Sequence, residues 1–204
     1  MIETLLSFVV ATCILALSPG PDNMYVLTQS LANGSKSGLA TTAGLISGCI
    51  VHTTLLAFGL SAIITTNETF FYGIKVLGAV YLLYLAYQVF KSDASVQFVE
   101  NVPKKSYMQL FKQGVVMNLL NPKVMIFFLA FFPAFLWQPE TDTVHQFYIL
   151  GIAFMVVSFI IFGTISLLAG RVSVFLKNNK KTGVSLKWLQ ILVFLGIAAF
   201  ILVP

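Results

Sequence analysis

Two charged side chains lie within stretches that are otherwise apolar enough to cross a membrane, Asp22 in the first half of the chain and Lys123 in the second. A charge at the centre of a bilayer costs about 2.5 to 3.5 kcal/mol on the milder scales, so such charges usually face a cavity or a pathway. A carboxylate suits an ammonium group or a proton, and an ammonium suits a carboxylate. The two residues predict a site for a zwitterionic solute, with a structural ion pair as the alternative.

Prolines interrupt the chain next to both charges. Pro19, Gly20 and Pro21 precede the aspartate, and Pro122 precedes the lysine. Proline removes a backbone donor and clashes with the preceding turn, so each apolar stretch is predicted to form two half-helices. The start of a half-helix exposes N–H groups and a positive dipole end, which hold carboxylates in transporters.

Asparagines stand beside both breaks. Asn23 and Asn121 can supply uncharged hydrogen bonds to a substrate, and capping of the interrupted helices is the alternative for each. The predicted substrate-binding residues are Asp22, Asn23, Asn121 and Lys123.

A stripe of small residues in the second apolar stretch ends in a histidine. Ala40, Gly44, Gly48 and His52 recur every four residues, so they share one helix face. The glycines let another helix approach closely, and they are also candidates for lining a pathway. His52 could relay protons together with Asp22, and a neutral, hydrogen-bonded histidine is the alternative.

Polar and small residues in the other apolar stretches are less specific. Tyr81 and Tyr84 are candidates for lining a pathway, although tyrosines near a membrane interface are also ordinary anchors. Ser158 is interpreted as a helix-packing residue, and Cys13 and Cys49 as small packing residues. The sequence shows no metal-ligand spacing, nucleophile elbow, phosphate loop or dinucleotide motif, so neither a metal nor a cofactor is expected.

Composition places the chain in a membrane. Its 204 residues are 58% hydrophobic and 9% charged, whereas a soluble domain carries about 25% charge. An all-α membrane protein is therefore predicted. Apolar runs of about 20 residues indicate helical spans, six in number, at roughly 4–31, 39–64, 70–90, 108–137, 146–169 and 186–203. Proline breaks the first and the fourth span near the midplane.

Basic residues predict the orientation of the spans. Most of them lie at Lys36 and in or beside the connections 91–107 and 170–185, which six spans place on one side. The positive-inside rule makes that side cytoplasmic, with both termini outside. Topology and contact with the lipid bilayer thus explain the net charge of +5. Nucleic-acid binding is not predicted, because the sequence has no basic patch interleaved with aromatic residues.

The two halves of the chain have the same plan, a broken span followed by two ordinary spans. Because three spans is an odd number, the second half enters the membrane from the opposite side. This pattern predicts two inverted three-helix repeats around a midplane site. The single transmembrane domain 1–204 is predicted to comprise repeat one at about 1–90, a cytoplasmic connection at about 91–107 and repeat two at about 108–204.

These motifs resemble those of a known family. The segments 17–22 (LSPGPD) and 118–123 (NLLNPK), together with the glycine pattern of 34–48, are similar to the LysE family of bacterial amino-acid exporters, within it the homoserine/threonine (RhtB-type) branch. The resemblance covers nearly the whole chain. It implies export of amino acids or related metabolites across the bacterial inner membrane, driven by proton antiport. In that membrane, the orientation predicted from the basic residues places both termini in the periplasm.

The resulting interpretation is a secondary-active exporter of small neutral amino acids or derivatives, threonine-like or homoserine-like, that works by alternating access. One midplane lysine and one aspartate fit a neutral zwitterion better than a basic substrate. A passive metabolite channel is the alternative. An intramembrane enzyme using His52, Asp22 and Lys123 is a weaker alternative. The prediction is therefore that the chain is not an enzyme. The glycine stripe can serve either a contact within the bundle or the interface of a homodimer, and the sequence does not decide between them.

Overall fold

The protein is built from helices in a computed structural model, which describes residues 1–18, 20–62, 68–92, 102–178 and 180–202. These ranges contain no strand. In chain order the helices are α1 Ile2–Leu17, α2 Pro21–Asn33, α3 Ser35–Leu55, α4 Glu68–Lys91, α5 Tyr107–Leu120, α6 Pro122–Phe131, α7 Thr143–Leu167, α8 Ala169–Asn178 and α9 Lys180–Leu202. A π-helical turn, Leu56–Leu60, continues α3, and a 3-10 turn, Phe132–Phe135, continues α6.

The helices provide between four and six candidate membrane spans. Those long and apolar enough to cross alone are Ser35–Leu60, Thr69–Lys91, Thr143–Leu167 and Gly183–Leu202. The bent pairs α1–α2 and α5–α6 raise the number to six if each pair is one span. The predicted all-α membrane fold is confirmed, whereas the inverted relation of the two halves stays a prediction.

Both predicted breaks are sharp bends. The axes of α1 and α2 are bent by 59°, and those of α5 and α6 by 53°. Pro21 and Pro122 are the first residues of α2 and α6. Proline fits that position because the first-turn N–H has no partner in the helix. Each proline therefore begins a new helix. Pro19, the remaining predicted break proline, lies outside the described residues.

Helix α3 forms the centre of the bundle, where it packs against α2, α5 and α7. At its crossing with α5, a Cβ atom on Gly44 would lie 2.0 Å from the carbonyl oxygen of Phe111. One on Gly114 would lie 2.4 Å from the carbonyl oxygen of Thr41. Only glycine allows backbones to come this close, so the two helices touch through their main chains.

Phenylalanines hold α6 in place. Phe127 stacks on Phe131 with ring centroids 4.3 Å apart, and Phe128 stacks on Phe132 at 4.2 Å. Phe8 of α1 meets Phe132 edge to face at 5.1 Å. These five side chains are at most 2% exposed. Burial of this aromatic surface stabilises α6 after the bend.

One helix occupies part of a predicted connection. Helix α8 follows α7 and packs against α2, α7 and α9. Its Ser173 is buried, whereas Val174 and Phe175 are exposed. A short helix with a polar face and exposed apolar side chains fits the membrane interface. The first part of the connection 170–185 is therefore helical.

The basic ends of two spans lie together. Lys187 Nζ at the start of α9 donates to the backbone oxygen of Ser92, after the end of α4, at 2.7 Å. The rings of Phe90 and Trp188 are 6.1 Å apart at the same place. The two helix ends thus share one side of the bundle, as the predicted topology requires. Assignment of that side to the cytoplasm stays a prediction, and residues 93–101 of the connection lie outside the described ranges.

Candidate functional site

The two helix breaks meet inside the bundle. Asn121 Nδ2 donates a hydrogen bond to Asp22 Oδ2 at 3.1 Å. Asn121 caps the end of α5, and Asp22 lies in the first turn of α2. Polar residues from the two interruptions, 99 residues apart in the sequence, therefore form one site.

The helices that follow the breaks begin in the same way. Gly20 and Asn121 have extended backbones. Their carbonyls accept the first helical hydrogen bonds, from the N–H groups of Met24 at 3.0 Å and Met125 at 3.1 Å. The positive end of the helix dipole favours a carboxylate in the first turn. The start of α2 therefore stabilises the charge of Asp22, which is half-buried.

Asn23 supports the helix that precedes the first break. Its Nδ2 donates to the carbonyl oxygen of Ala16 at 2.7 Å. That carbonyl belongs to the last turn of α1, where the helix itself supplies no donor. Asn23 thus makes the capping contact considered for it, and its role in substrate binding stays a prediction.

A cavity of about 60 Å³ lies beside the joined breaks, between α1, α2, α3, α5, α6 and α7. Its wall is apolar over most of its area. The polar side chains in the wall are those of Ser18, Asp22, Asn23, Asn118 and Ser158.

Some polar atoms in this wall lack a hydrogen-bond partner among the residues that the structure describes. They are Ser18 Oγ, Asn118 Oδ1 and Ser158 Oγ, in residues that are 1%, 4% and 2% exposed. An unpaired buried polar atom costs about 1 to 3 kcal/mol. Cavities that stay empty are apolar. A wall with three such atoms is therefore suited to a polar solute.

Asn118 connects the cavity with His52. Its Nδ2 donates to Cys49 Sγ at 3.5 Å, and its carbonyl oxygen lies 3.3 Å from His52 Nε2. The same carbonyl accepts from the N–H of Asn121 at 3.2 Å. The buried histidine supports the last turn of α5, which is the hydrogen-bonded alternative considered for it. A proton relay from His52 to Asp22 stays a prediction.

Other predicted pathway residues lie elsewhere in the fold. Gly44 and Gly48 pack against α5 in the central helix crossing. Tyr81 and Tyr84 are on α4 with ring centroids 6.0 Å apart, and Tyr84 is 50% exposed on the outer surface. None of the four is in the wall of this cavity. A pathway that passes them stays a prediction.

The backbone of Lys123 lies at the second break, because this residue follows Pro122 at the start of α6. Its side chain is outside the part of the chain that the structure describes. The next residue, Val124, is in the cavity wall. Pairing of Lys123 with Asp22 or with a substrate carboxylate stays a prediction.

The structure adds three residues to the candidate site, Ser18, Asn118 and Ser158. A sequence signal existed for Asn118, because it lies three residues before Asn121 and such residues are neighbours on a helix. Ser18 was part of the first break motif without a role of its own. No local signal separates Ser158 from the other serines and threonines of α7, since its distinction is the cavity that it faces.

The fold and the site define a multi-pass membrane protein that carries a polar site between broken helices. A family model described as LysE type translocator matches residues 13–203. The chain therefore belongs to the LysE-type translocator family, as its motifs predicted. It is a transport protein for a small-molecule solute, not an enzyme, which sets aside the intramembrane enzyme.

Individual relatives cover most of the chain. A homoserine/homoserine lactone efflux protein of Salmonella typhimurium (strain LT2) is 29% identical over 175 residues, which are 86% of this chain and 84% of that protein. Its counterpart in Salmonella typhi is 30% identical with the same coverage. An uncharacterized membrane protein of Vibrio cholerae serotype O1 is 27% identical over 177 residues, 87% of this chain and 86% of that protein. No solved structure matches the chain.

Proposed function

We propose that the protein is a secondary-active exporter of small neutral amino acids or their derivatives, such as threonine and homoserine, across the bacterial inner membrane. Proton antiport drives the export, and the two halves of the bundle alternate access around the joined breaks. Family membership supports the transport class. The relatives named for homoserine and homoserine lactone efflux support the substrate class.

The hydrogen bond between Asp22 and Asn121 is the observation that carries the proposal. It holds a carboxylate at the place where both broken spans meet, in the wall of a small cavity that contains several polar side chains. A charge-assisted hydrogen bond from an ammonium group is stronger than one from a neutral amide. The substrate ammonium therefore displaces Asn121 from Asp22 and loosens the contact between the halves.

The substrate carboxylate has partners at the starts of α2 and α6. The first-turn amides after Pro21 and Pro122 have no acceptors within their own helices. Together with the dipole end they form an anion site. In this proposal Lys123 adds a cation beside the second helix start. The ammonium and the carboxylate of the substrate are thus matched by one aspartate and one lysine of the protein. This pair of opposite charges complements a zwitterion with no net charge.

Asp22 also supplies the coupling to protons. A proton and the substrate ammonium compete for the same carboxylate, so binding of one excludes the other. Release of substrate on the outside lets a proton bind, and release of that proton inside restores the carboxylate. Competition at one site is sufficient for exchange transport.

Hydroxyl groups join the halves on the basic side of the bundle. Ser30 Oγ donates to Ser166 Oγ at 3.0 Å, and Ser166 Oγ donates to the carbonyl of Ser35 at 2.8 Å. These bonds connect α2 and the start of α3 with α7, next to Lys36. A neutral hydrogen bond that exchanges for water changes the free energy by only about 0.5 to 1.5 kcal/mol. The contact is therefore suited to opening and closing during transport.

Export of labelled threonine from proteoliposomes with an imposed pH gradient tests the proposal. Asp22→Asn retains the shape of the side chain and removes its charge. A hydrogen bond to a charged group contributes about 1.5 to 3 kcal/mol. We therefore expect export to slow by about 10- to 100-fold. Asp142→Asn is the matched control, because that carboxylate is 67% exposed beside His145, and we expect normal export.

Equal export rates for the two variants would falsify the role of Asp22. A flux that neither saturates with threonine nor depends on the pH gradient would instead identify a passive channel.

A further inference from the structure

We infer that Asn118, Ser158 and Ser18 form a side-chain subsite that binds a neutral group able both to donate and to accept a hydrogen bond, with a hydroxyl as the fitting chemistry. This inference rests on the proposed function and deepens it, because it assigns the residues that distinguish one neutral amino acid from another.

Ser158 differs from other hydroxyl residues of the bundle in its hydrogen bonding. Thr41, Ser47 and Thr164 donate to the carbonyl four residues earlier in their own helices, at 2.7 to 3.0 Å. This back-bonding is a usual arrangement for serine and threonine within a helix. Ser158 is 2% exposed, yet its Oγ has no partner in the described part of the chain.

Asn118 is in the wall of the same cavity, and packing against α3 fixes its acceptor. Its Nδ2 is used by Cys49 Sγ, whereas its Oδ1 has no donor within the described residues. Tight packing on α3 holds the side chain, because a Cβ atom on Gly48 would lie 2.5 Å from Oδ1. A ligand in the cavity must therefore supply a donor to satisfy Asn118.

A hydroxyl group satisfies both requirements. It can donate its proton to Asn118 Oδ1 and accept a hydrogen bond from Ser158 or Ser18. A methyl group in the same position leaves all three atoms unpaired, and sites built to bind a hydroxyl reject such analogues strongly. Other buried hydroxyls without a partner in the described ranges lie outside this wall, namely those of Thr12, Thr42 and Thr53.

Threonine and valine test the subsite, because they have nearly the same shape and differ by a hydroxyl and a methyl group. Binding of each to purified protein is measured by calorimetry. We expect the wild type to bind threonine at least about tenfold more tightly than valine, and Ser158→Ala to lower that ratio below about threefold. Ser37→Ala is the matched control. Ser37 is also 2% exposed, but its Oγ donates to the carbonyl of Asn33 at 3.0 Å, so the ratio should be retained.

Equal binding of threonine and valine by the wild type overturns the subsite, as does a threonine preference that survives in Ser158→Ala. Failure to bind either amino acid also overturns it. Efflux of labelled threonine separates this inference from the exporter proposal. Selective binding without efflux contradicts export and supports the subsite, whereas efflux without selectivity contradicts the subsite alone.

Discussion

At the scale of single residues, identical side chains beside the two breaks make different contacts. Asn23 donates back to α1 through the carbonyl of Ala16. Asn121 donates across the bundle to Asp22. The first contact stabilises one bend, whereas the second joins two bends. Asn121 is therefore the asparagine that can respond to a substrate at Asp22.

Replacement of Asn23 tests this division of roles. Asn23→Ala removes the donor of the Ala16 carbonyl, and we expect the free energy of unfolding to fall by about 1 to 3 kcal/mol. The ratio of threonine to valine binding should stay the same. Thermal unfolding in detergent and calorimetry measure the two effects.

Asn33→Ala is the control for that experiment, because Asn33 makes a comparable side-chain bond to Gln29 at 3.1 Å, away from the breaks. We expect a smaller loss of stability. Loss of threonine binding by Asn23→Ala at unchanged stability would show that Asn23 contacts the substrate.

At the scale of helices, the crossing of α3 and α5 determines where Asn118 lies. Gly114 stands four residues before Asn118 on α5, and its backbone rests on α3. Residues four apart share a helix face. The face of α5 that makes the main-chain contact therefore also places the side chain of Asn118 in the cavity wall. The position of the candidate site therefore depends on glycine at this crossing.

A single added methyl group tests that dependence. In Gly114→Ala the new Cβ would lie 2.4 Å from the carbonyl oxygen of Thr41 and 2.8 Å from the N atom of Leu45. Backbone atoms cannot move aside as a flexible side chain can. We expect a loss of about 1 to 3 kcal/mol in the free energy of unfolding, together with weaker threonine binding.

Gly73→Ala in α4 provides the comparison, because a Cβ atom there would meet nothing within 4 Å. Alanine favours a helix over glycine by about 0.8 to 1 kcal/mol, so this variant should be as stable as the wild type or more stable. Equal unfolding temperatures for the two variants would contradict the main-chain contact.

At the scale of the whole molecule, each half packs one of its helices against the broken span of the other half. Helix α3 of the first half packs against α5, the beginning of the broken span in the second half. Reciprocally, α7 of the second half packs against α1, the beginning of the broken span in the first. Helices α3 and α7 also contact each other, as do α4 and α9. This exchange is what an inverted repeat predicts, and it supports the proposed rocking of two halves around one site.

Labelling of single cysteines tests the predicted orientation. Lys36→Cys and Glu140→Cys are introduced separately into a chain in which Cys13 and Cys49 are alanine, and both positions are exposed. A membrane-impermeant maleimide should label Glu140→Cys in intact cells, because the positive-inside rule places Lys36 in the cytoplasm. Both should react after permeabilisation. Labelling of Lys36→Cys from outside would invert the topology.

Much of the fold was predictable because its causes are local. A run of apolar residues predicts a membrane helix wherever it occurs. A proline ends a helix through its own backbone, so Pro21 and Pro122 marked both bends without knowledge of their neighbours. The short helix α8 was missed because a search for apolar spans does not detect an interfacial segment.

The candidate site was predictable only in part. Asp22 and Asn121 could be named from sequence, because a charge or an amide in an apolar stretch is conspicuous by itself. Their contact, and the presence of Ser158 and Asn118 in one cavity, required the fold. Sequence period assigns a residue to a helix face. Which other helix that face meets depends on how tightly two distant segments can approach, and here glycines at the central crossing and the phenylalanines that hold α6 set that approach.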